Sequence, residues 1–354
     1  MELNNIIFSL LLLLFCFIIN KYSLLLLTKK KSNLLIDNQF TKPQAFHEYS
    51  TYRLGGILFF LSLIIVFFYF FFIKNIFYFE FISFCTLFFL LGLTDDLKAN
   101  LAPKFRLIVM IIFLLVLVIE NEFYLEQITL GYLDNLLKID IFALLFVCLC
   151  FLFIINGSNL IDGFNGLLGM HALIIFVILF SINLLNEHDI KYILFYISII
   201  TLVFIMFNFP KAKIFLGDGG AYLIGTLIAI SSIKTNNLNP SISSFFFCII
   251  LFYLFFEVFF SFFRKIFAVK NSPLFPDGKH LHMLFYKFLL KKNNSKLSSN
   301  YKVSIYINLV YVCLITPGIL LMHHALFCRF YFFFLLIIYI FCYRLLSKKL
   351  GQLN

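Results

Sequence analysis

Long apolar runs constrain this chain more than any other feature of its sequence. Ile57–Ile73 and Phe245–Phe263 are mostly apolar, and crossing the ~30 Å hydrocarbon core of a bilayer takes roughly 17–25 such residues. The composition agrees, with 62% hydrophobic and 13% charged residues, about half the charge of an average soluble domain. A water-soluble fold cannot bury so much apolar surface. We therefore predict an all-α polytopic membrane bundle.

Hydropathy predicts about eleven spans, with ten as the lower count. Their ranges are 5–28, 55–73, 76–94, 105–119, 141–156, 166–185, 191–209, 219–233, 245–263, 303–321 and 326–345. No linker or internal repeat interrupts the series, so residues 1–354 are interpreted as one domain.

The distribution of positive charge predicts the orientation of the bundle. Cytoplasmic loops of membrane proteins are enriched in Lys and Arg. With the N-terminus outside, 22 of the 28 basic residues fall on inner segments; the other six are Lys21 within the first span and Lys74, Lys138, Lys191, Lys234 and Arg329 outside. This asymmetry predicts a cytoplasmic C-terminus, and it explains the net charge of +11 without a nucleic-acid partner.

Three local features complete the predicted topology. The N-terminus has no basic region before its apolar run, so we expect an uncleaved first helix that ends inside at Lys29–Lys31. The outer segment 122–140, around Gly131, is predicted to form a short periplasmic β-hairpin. His282–Lys292 alternates apolar and basic residues, as in an amphipathic helix in the headgroup layer.

The eight cysteines are scattered along the chain, with no Cys-x-x-Cys pair. We interpret them as small apolar residues of the bundle, and predict neither a metal site nor a disulfide from them.

Two adjacent carboxylates, Asp95 and Asp96, end the third span, and Lys98 follows. Each would cost roughly 2.5–3.5 kcal/mol at the centre of the membrane, so a cation or a proton must compensate them. The alternative is an ordinary solvated end of a helix.

A second polar segment follows the fifth span and reads NGSNLIDGFNGL. Asn156, Asn159, Asp162 and Asn165 recur at about one helical turn, so they can share one face. An ordinary loop does not require this spacing.

Two further motifs lie on inner segments. KAKIFLGDGG places Asp218 between glycines at the start of a helix, close to Lys213; carboxylate oxygens suit Mg²⁺, and free backbone N–H groups suit phosphate. PDGKHLH contributes His280 and His282. These two histidines lack a usual third zinc ligand, and phosphate hydrogen bonding is the preferred interpretation.

Glu257 lies within the ninth span, seven residues before Arg264. A buried acid in a salt bridge and a functional acid are equally consistent with this position.

Acids, amides and basic groups at the inner ends of apolar helices suit a Mg²⁺-bound diphosphate held beside a lipid phosphate. A phosphoryl transfer between a soluble diphosphate and a lipid phosphate follows as a hypothesis.

The four motifs DDLK, NGSNLIDGFNGL, KAKIFLGDGGAYLIG and PDGKHLH, in this order, resemble those of the polyprenyl-phosphate N-acetylhexosamine-1-phosphate transferases. This glycosyltransferase 4 family includes the phospho-MurNAc-pentapeptide translocase and the initiator transferases of O-antigen and teichoic-acid synthesis. The resemblance covers residues 47–284, and the His-x-His pattern is closer to the initiator type, such as undecaprenyl-phosphate GlcNAc-1-phosphate transferase.

The resemblance implies transfer of a HexNAc 1-phosphate from a UDP-sugar to undecaprenyl phosphate, with UMP leaving. It also implies Mg²⁺ (or Mn²⁺) as the cofactor, an active site on the cytoplasmic face of the bacterial inner membrane, a role in lipopolysaccharide or cell-wall synthesis, and a homodimer. It leaves direct attack by the lipid phosphate and a covalent Asp intermediate both open, and we favour the first.

The resemblance also implies roles for individual residues. Asp95, Asp96 and Asp162 are the catalytic acids and Asp218 is the metal ligand; the substrate-binding residues are Arg53, Lys98, Arg106, Asn156, Asn159, Asn165, Lys213, His280 and His282. Asn165 departs from several branches, which carry an Asp there, and so argues against a base at this position.

The main alternative is a proton-coupled transporter or a lipid flippase, in which buried acids and histidines relay protons. That alternative predicts charges near span midpoints and inverted repeats. Here the acids, apart from Glu257, lie at the ends of helices, and no repeat is visible. A catalytically inactive scaffold is a third reading, which loss of Asp96 or Asp218 would favour; both are present.

Overall fold

The computed structural model describes residues 3–30, 35–37, 46, 49–97, 101–269, 277–292 and 294–351. Helices dominate this part of the chain. They are α1 Leu3–Lys30, α2 Gly55–Lys74, α3 Phe79–Asp96, α4 Pro103–Glu120, α5 Gly131–Leu136, α6 Asp140–Ile161, α7 Leu167–Leu185, α8 Ile190–Asn208, α9 Gly217–Leu238, α10 Ser244–Ile250, α11 Phe252–Arg264, α12 Leu281–Lys291, α13 Lys296–Leu320 and α14 Ala325–Leu350, with a π-helical turn at Lys265–Val269.

The all-α membrane architecture is confirmed. In the described part of the chain, seven helices are long and apolar enough to cross a bilayer, namely α1, α2, α6, α7, α8, α13 and α14. Helices α10 and α11 are bent by 75° relative to each other, and together they make an eighth span if the pair counts as one broken helix.

The predicted count of eleven spans is therefore not reached by length and apolarity alone. A helix lies at each predicted position, but α3, α4 and α9 fall short of the count because charged and polar side chains interrupt them. Glu80, Asp95 and Asp96 lie within the 18 residues of α3, for example. The number of crossings and the orientation stay predictions.

The predicted β-hairpin in segment 122–140 is wrong. Residues 131–136 form the short helix α5 instead, and Asp134 accepts the backbone N–H groups of Ile128 and Leu130 at 2.7 and 2.9 Å. A carboxylate that accepts the backbone N–H groups of the preceding loop in this way favours a turn of helix over a pair of strands. The predicted amphipathic helix is present as α12, which packs between α13 and α14.

Helix α9 lies at the centre of the bundle and packs against α2, α3, α6 and α7. Small residues let these neighbours approach closely. Gly56 of α2 lies against the backbone of Gly220, and Gly92 of α3 lies against the backbone at Asp218. The start of α9 is therefore in backbone contact with two other helices.

A small strand pair joins the chain before α2 to the chain before α9. Strand β1 (Ile36–Asp37) pairs antiparallel with β2 (Thr51–Tyr52). Tyr52 then accepts the N–H of Phe215 at 2.8 Å, and Phe215 accepts the N–H of Gly55 at 2.8 Å. These hydrogen bonds fix three separate stretches of sequence at one end of the bundle.

Candidate active site

The Asp96 side chain caps the start of α9. One carboxylate oxygen accepts the N–H of Asp218 at 3.0 Å, and the other accepts the N–H of Gly219 at 2.9 Å. Asp96 is only 4% exposed. Two of the unpaired N–H groups of the first helical turn are thereby satisfied by a carboxylate, which the helix dipole also favours.

Gly217 makes this cap possible. Its φ is +76°, a backbone conformation that L-residues with a side chain rarely adopt. A Cβ atom at this position would also lie 2.6 Å from a carboxylate oxygen of Asp96. The glycine before Asp218 therefore has a steric reason in this structure.

Asp218 contacts residues of two other helices through its two carboxylate oxygens. Its Oδ1 accepts the Asn159 side-chain amide at 3.0 Å, and its Oδ2 lies 3.7 Å from the Arg106 guanidinium, which also pairs with Asp95. The Asp218 side chain is 31% exposed. Helices α3, α4, α6 and α9 thus each contribute a residue to one polar cluster.

Asp162 follows the last residue of α6 and borders this cluster. Although part of its surface is accessible, desolvation by the surrounding protein raises the pKa of its carboxyl well above its usual range, and the charges of Asp218 and Asp96 raise it further. The positive charge of Arg53 acts in the opposite direction. The raised pKa disposes Asp162 to keep a proton.

Arg53 connects the cluster to Asp37, an acid that is not among the residues predicted from the sequence. Its Nη2 and Nε donate to Asp37 Oδ2 at 2.7 and 3.1 Å, and its Nη1 lies 3.5 Å from Asp96 Oδ1. Asp37 is 9% exposed. The negative charge of Asp37 could have drawn attention to it, because acids are few on the segments that carry most of the Lys and Arg.

Three predicted substrate-binding residues lie elsewhere or serve the backbone. Asn165 is buried and donates its amide to the Pro210 carbonyl at 2.9 Å, which braces the chain before α9. Asn156 donates to the Leu152 carbonyl within α6 at 2.8 Å. Lys213 is exposed. None of these three side chains has a hydrogen bond to Asp96 or Asp218 in the described part of the chain.

His280 and His282 form a second, buried cluster around Glu257. Their Nδ1 atoms lie 2.8 and 3.2 Å from the two carboxylate oxygens of Glu257, and all three residues are at most 2% exposed. Burial lowers the pKa of the His282 imidazole, against the opposing charge of Glu257. The ring of Phe164, in the loop between α6 and α7, packs 5.6 Å from that of His282. The pair thus lies behind the loop that carries Asp162.

Lys98, also predicted to bind substrate, lies outside the described residues.

The residues present fit a magnesium ion held largely by a substrate. Among the described residues, no group of three His, Cys, Asp or Glu side chains is placed to hold a metal by itself. Mg²⁺ is commonly held by one or two carboxylates together with substrate phosphates and water. Asp218, partly exposed and oriented by Asn159, is suited to this role, whereas both oxygens of Asp96 are occupied by backbone N–H groups.

Comparison with known proteins identifies similar chains. Residues 76–236 match the family model described as glycosyl transferase family 4. The chain is 28% identical over 236 residues to an undecaprenyl-phosphate alpha-N-acetylglucosaminyl 1-phosphate transferase of Thermotoga maritima, a match that covers 66% of this chain and 67% of that protein.

Two further relatives match shorter stretches. A phospho-N-acetylmuramoyl-pentapeptide-transferase of Wolbachia is 33% identical over 165 residues, which covers 43% of this chain and 50% of the relative. A decaprenyl-phosphate N-acetylglucosaminephosphotransferase of Mycobacterium tuberculosis is 35% identical over 88 residues, which is 22% of each chain. The chain thus spans from about a fifth to two thirds of the length of these relatives.

Proposed function

The chain belongs to glycosyl transferase family 4, and on that premise we propose that it transfers a HexNAc 1-phosphate from a UDP-sugar to undecaprenyl phosphate. The products are the undecaprenyl diphosphate-linked sugar and UMP. Of the three relatives named above, one is by its name a 1-phosphate transferase, one a phosphotransferase and one a phospho-N-acetylmuramoyl-pentapeptide-transferase, and two of these names specify a polyprenyl phosphate.

One observation carries the proposal: three of the four motifs, DDLK, NGSNLIDGFNGL and KAKIFLGDGGAYLIG, supply side chains to one polar cluster at an end of an apolar bundle. Asp96, Asn159 and Asp218 are joined by hydrogen bonds, and Arg53 and Arg106 border them. A soluble diphosphate can reach such a cluster from water, and a prenyl chain can stay in the lipid beside it.

The bond changes of the proposed reaction involve the two phosphates alone. An oxygen of the lipid phosphate bonds to the phosphorus that carries the sugar, and the bond from that phosphorus to the oxygen of UMP breaks. A phosphate monoester is mostly ionised near neutral pH, since its second pKa is about 6. We therefore favour direct attack over a covalent Asp intermediate.

The residues would divide the work as follows. Asp218 would hold Mg²⁺, with Asn159 fixing its orientation; Mg²⁺ bound there supplies positive charge for the diphosphate and the departing UMP. Arg53 and Arg106 would contact phosphate oxygens as charged donors. Asp96 would act through Asp218, whose helix it caps, and Asp95 and Asp162 are the acids left to accept or hold a proton.

His280 and His282 keep their assignment to the donor diphosphate through the resemblance. Because both are buried against Glu257, direct contact with a diphosphate requires movement of residues 277–284. A supporting role behind the α6–α7 loop needs no such movement.

The proposed location is the cytoplasmic face of the bacterial inner membrane. The apolar helices support a multi-pass membrane protein, and the excess of Lys and Arg on the segments around the polar cluster supports the cytoplasmic side. The reaction would then be the first membrane step of a cell-envelope glycan pathway.

An exchange assay tests the proposed function. Membranes that contain the protein are incubated with undecaprenyl phosphate, labelled UMP and a panel of UDP-N-acetylhexosamines, with Mg²⁺ or with EDTA. We expect label to enter one UDP-sugar in the presence of Mg²⁺ only. A wild-type protein that exchanges no donor of the panel would contradict the enzyme assignment.

A further inference from the structure

Asp37 and Arg53 form a clamp whose geometry is defined by the small strand pair. The register of β1 and β2 places Asp37 opposite Thr51, and Arg53 donates its backbone N–H to the Leu35 carbonyl at 2.8 Å. Because side chains alternate along a strand, the side chains of Asp37 and Arg53 are diagonal neighbours on one face of the strand pair. The backbone hydrogen bonds of the strand pair thus fix the positions of the two residues that form the ion pair.

The clamp uses one edge of the guanidinium and leaves another. Nε and Nη2 both donate to Asp37 Oδ2, whereas Nη1 makes a longer hydrogen bond of 3.5 Å to Asp96 Oδ1. A guanidinium has five N–H groups in a rigid fork. With two nitrogens fixed on Asp37, the Nη1 edge is directed at the polar cluster that contains Asp96 and Asp218.

Burial distinguishes this pair from an ordinary surface salt bridge. The Asp37 side chain is 10% exposed and that of Arg53 is 27% exposed. Exposed ion pairs contribute little because solvent screens them, but a guanidinium held in place before its ligand arrives loses less conformational entropy on binding. The clamp is thus suited to prepare a donor for an anion.

We infer that Asp37 is a positioning residue, which orients the Nη1 edge of Arg53 for a phosphate group of the substrate. This inference rests on the proposed function. The phosphate is either that of the prenyl monoester or the diphosphate of the nucleotide-sugar, since both present the oxygens that a guanidinium fork binds.

The test compares Asp37→Asn, Asp37→Glu, Arg53→Lys and the double variant Asp37→Asn with Arg53→Lys. Asp140→Asn is the matched control, because Asp140 is an exposed acid at the start of α6. Each protein is quantified in membranes, and kcat and KM are measured separately for undecaprenyl phosphate and for the UDP-sugar.

We expect Asp37→Asn to raise the KM for one of the two substrates about tenfold, the scale of one oriented charged hydrogen bond, and Asp140→Asn to leave both KM values unchanged. The substrate whose KM rises identifies the source of the phosphate. Asp37→Glu, which keeps the carboxylate, should recover part of the loss. The double variant should lose no more than Arg53→Lys alone, since the two residues act as one unit.

A second measurement is independent of activity. Phenylglyoxal modifies accessible arginines, and peptide mass spectrometry locates the modified residue. Labelling of Arg53 should rise several-fold in Asp37→Asn and stay at the wild-type level in Asp140→Asn.

The outcomes separate this inference from the proposed function. The clamp would be overturned if the KM values of Asp37→Asn were unchanged, or if Asp37→Asn and Asp37→Glu raised KM equally. It would also be overturned if the effects of the two substitutions on KM added up in the double variant, or if labelling of Arg53 were unchanged. If the wild-type protein exchanges no donor, the proposed function fails, and the labelling experiment alone decides whether Asp37 holds Arg53.

Discussion

Asp96 holds the backbone of Asp218 with one carboxylate oxygen, at 3.0 Å, and the next residue's N–H with the other. Two acids that come from distant parts of the sequence are thereby fixed relative to each other. The neighbouring Asp95 turns instead to Arg106. The two adjacent acids therefore have different partners: Asp96 caps the helix that carries Asp218, and Asp95 forms an ion pair with a guanidinium.

The cap predicts the effect of Asp96→Asn. An asparagine can accept one of the two N–H groups, but its own amide group faces the other, so one buried donor loses its partner. We expect the free energy of unfolding to fall by about 1–3 kcal/mol and UMP exchange to fall at least tenfold, because Asp218 is displaced. Thermal unfolding in detergent and the exchange assay measure the two effects. Glu120→Gln, at the exposed end of α4, is the control, and an unchanged melting temperature in Asp96→Asn would refute the capping role.

Gly217 offers a test of backbone strain. Alanine at this position must adopt a φ near +76° and lies against the Asp96 carboxylate, so Gly217→Ala should destabilise the protein by about 1–3 kcal/mol. Gly131→Ala is the matched control, because Gly131 begins the short helix α5 and a Cβ there meets nothing within 4 Å. We expect its melting temperature to stay the same or rise slightly. Equal melting temperatures for the two variants would show that Gly217 is not required.

Asp218→Asn separates binding of the metal from folding. The substitution keeps the size of the side chain and retains an oxygen for the Asn159 amide, but it removes the negative charge that Mg²⁺ requires. Exchange should be lost at all Mg²⁺ concentrations, with a melting temperature close to that of the wild type. Asn159→Ala should instead shift the Mg²⁺ dependence to higher concentration. Near-wild-type exchange by Asp218→Asn would remove Asp218 from the metal-binding role.

The buried cluster of Glu257, His280 and His282 predicts a cost in stability. Glutamine at position 257 has one acceptor oxygen instead of two, so it can accept from only one of the two Nδ1 atoms; the Tyr253 hydroxyl, 3.3 Å from His282 Nδ1, is the other polar group within reach of that ring. Glu257→Gln should lower the free energy of unfolding by about 1–3 kcal/mol. Glu187→Gln, at an exposed turn, should have no measurable effect. If both variants have the melting temperature of the wild type, the contacts of Glu257 with the two histidines do not contribute to stability.

Much of this arrangement follows from patterns that the sequence shows directly. Apolar runs fixed the positions of the long helices, since each must hide its backbone from lipid. The alternation of these runs placed Asp96, Asn159 and Asp218 at one end of the bundle, where hydrogen bonds join them. Hydropathy and spacing are sufficient for such predictions because both are local.

The remaining features depend on contacts between distant segments, which spacing does not show. Nothing in the sequence states that Asp96 caps a helix that begins 121 residues later, or that Asp37 pairs with Arg53 across two short strands. Spacing also does not show that the Asn165 amide donates to the Pro210 carbonyl. The predicted hairpin around Gly131 is wrong for a similar reason, since the choice between strands and a helix depends on the hydrogen bonds from the preceding loop to Asp134.

The glycines that bring α2, α3 and α9 together have a mechanical consequence. Where Gly56 meets Gly220 and Gly92 meets the backbone at Asp218, the helices touch with no side chains between them, so no change of rotamer can let one helix slide past another. The start of α9 is thereby tied closely to α2 and α3. For the proposed reaction, we expect the backbones that carry Asp96 and Asp218 to keep their distance when a nucleotide-sugar enters or a product leaves.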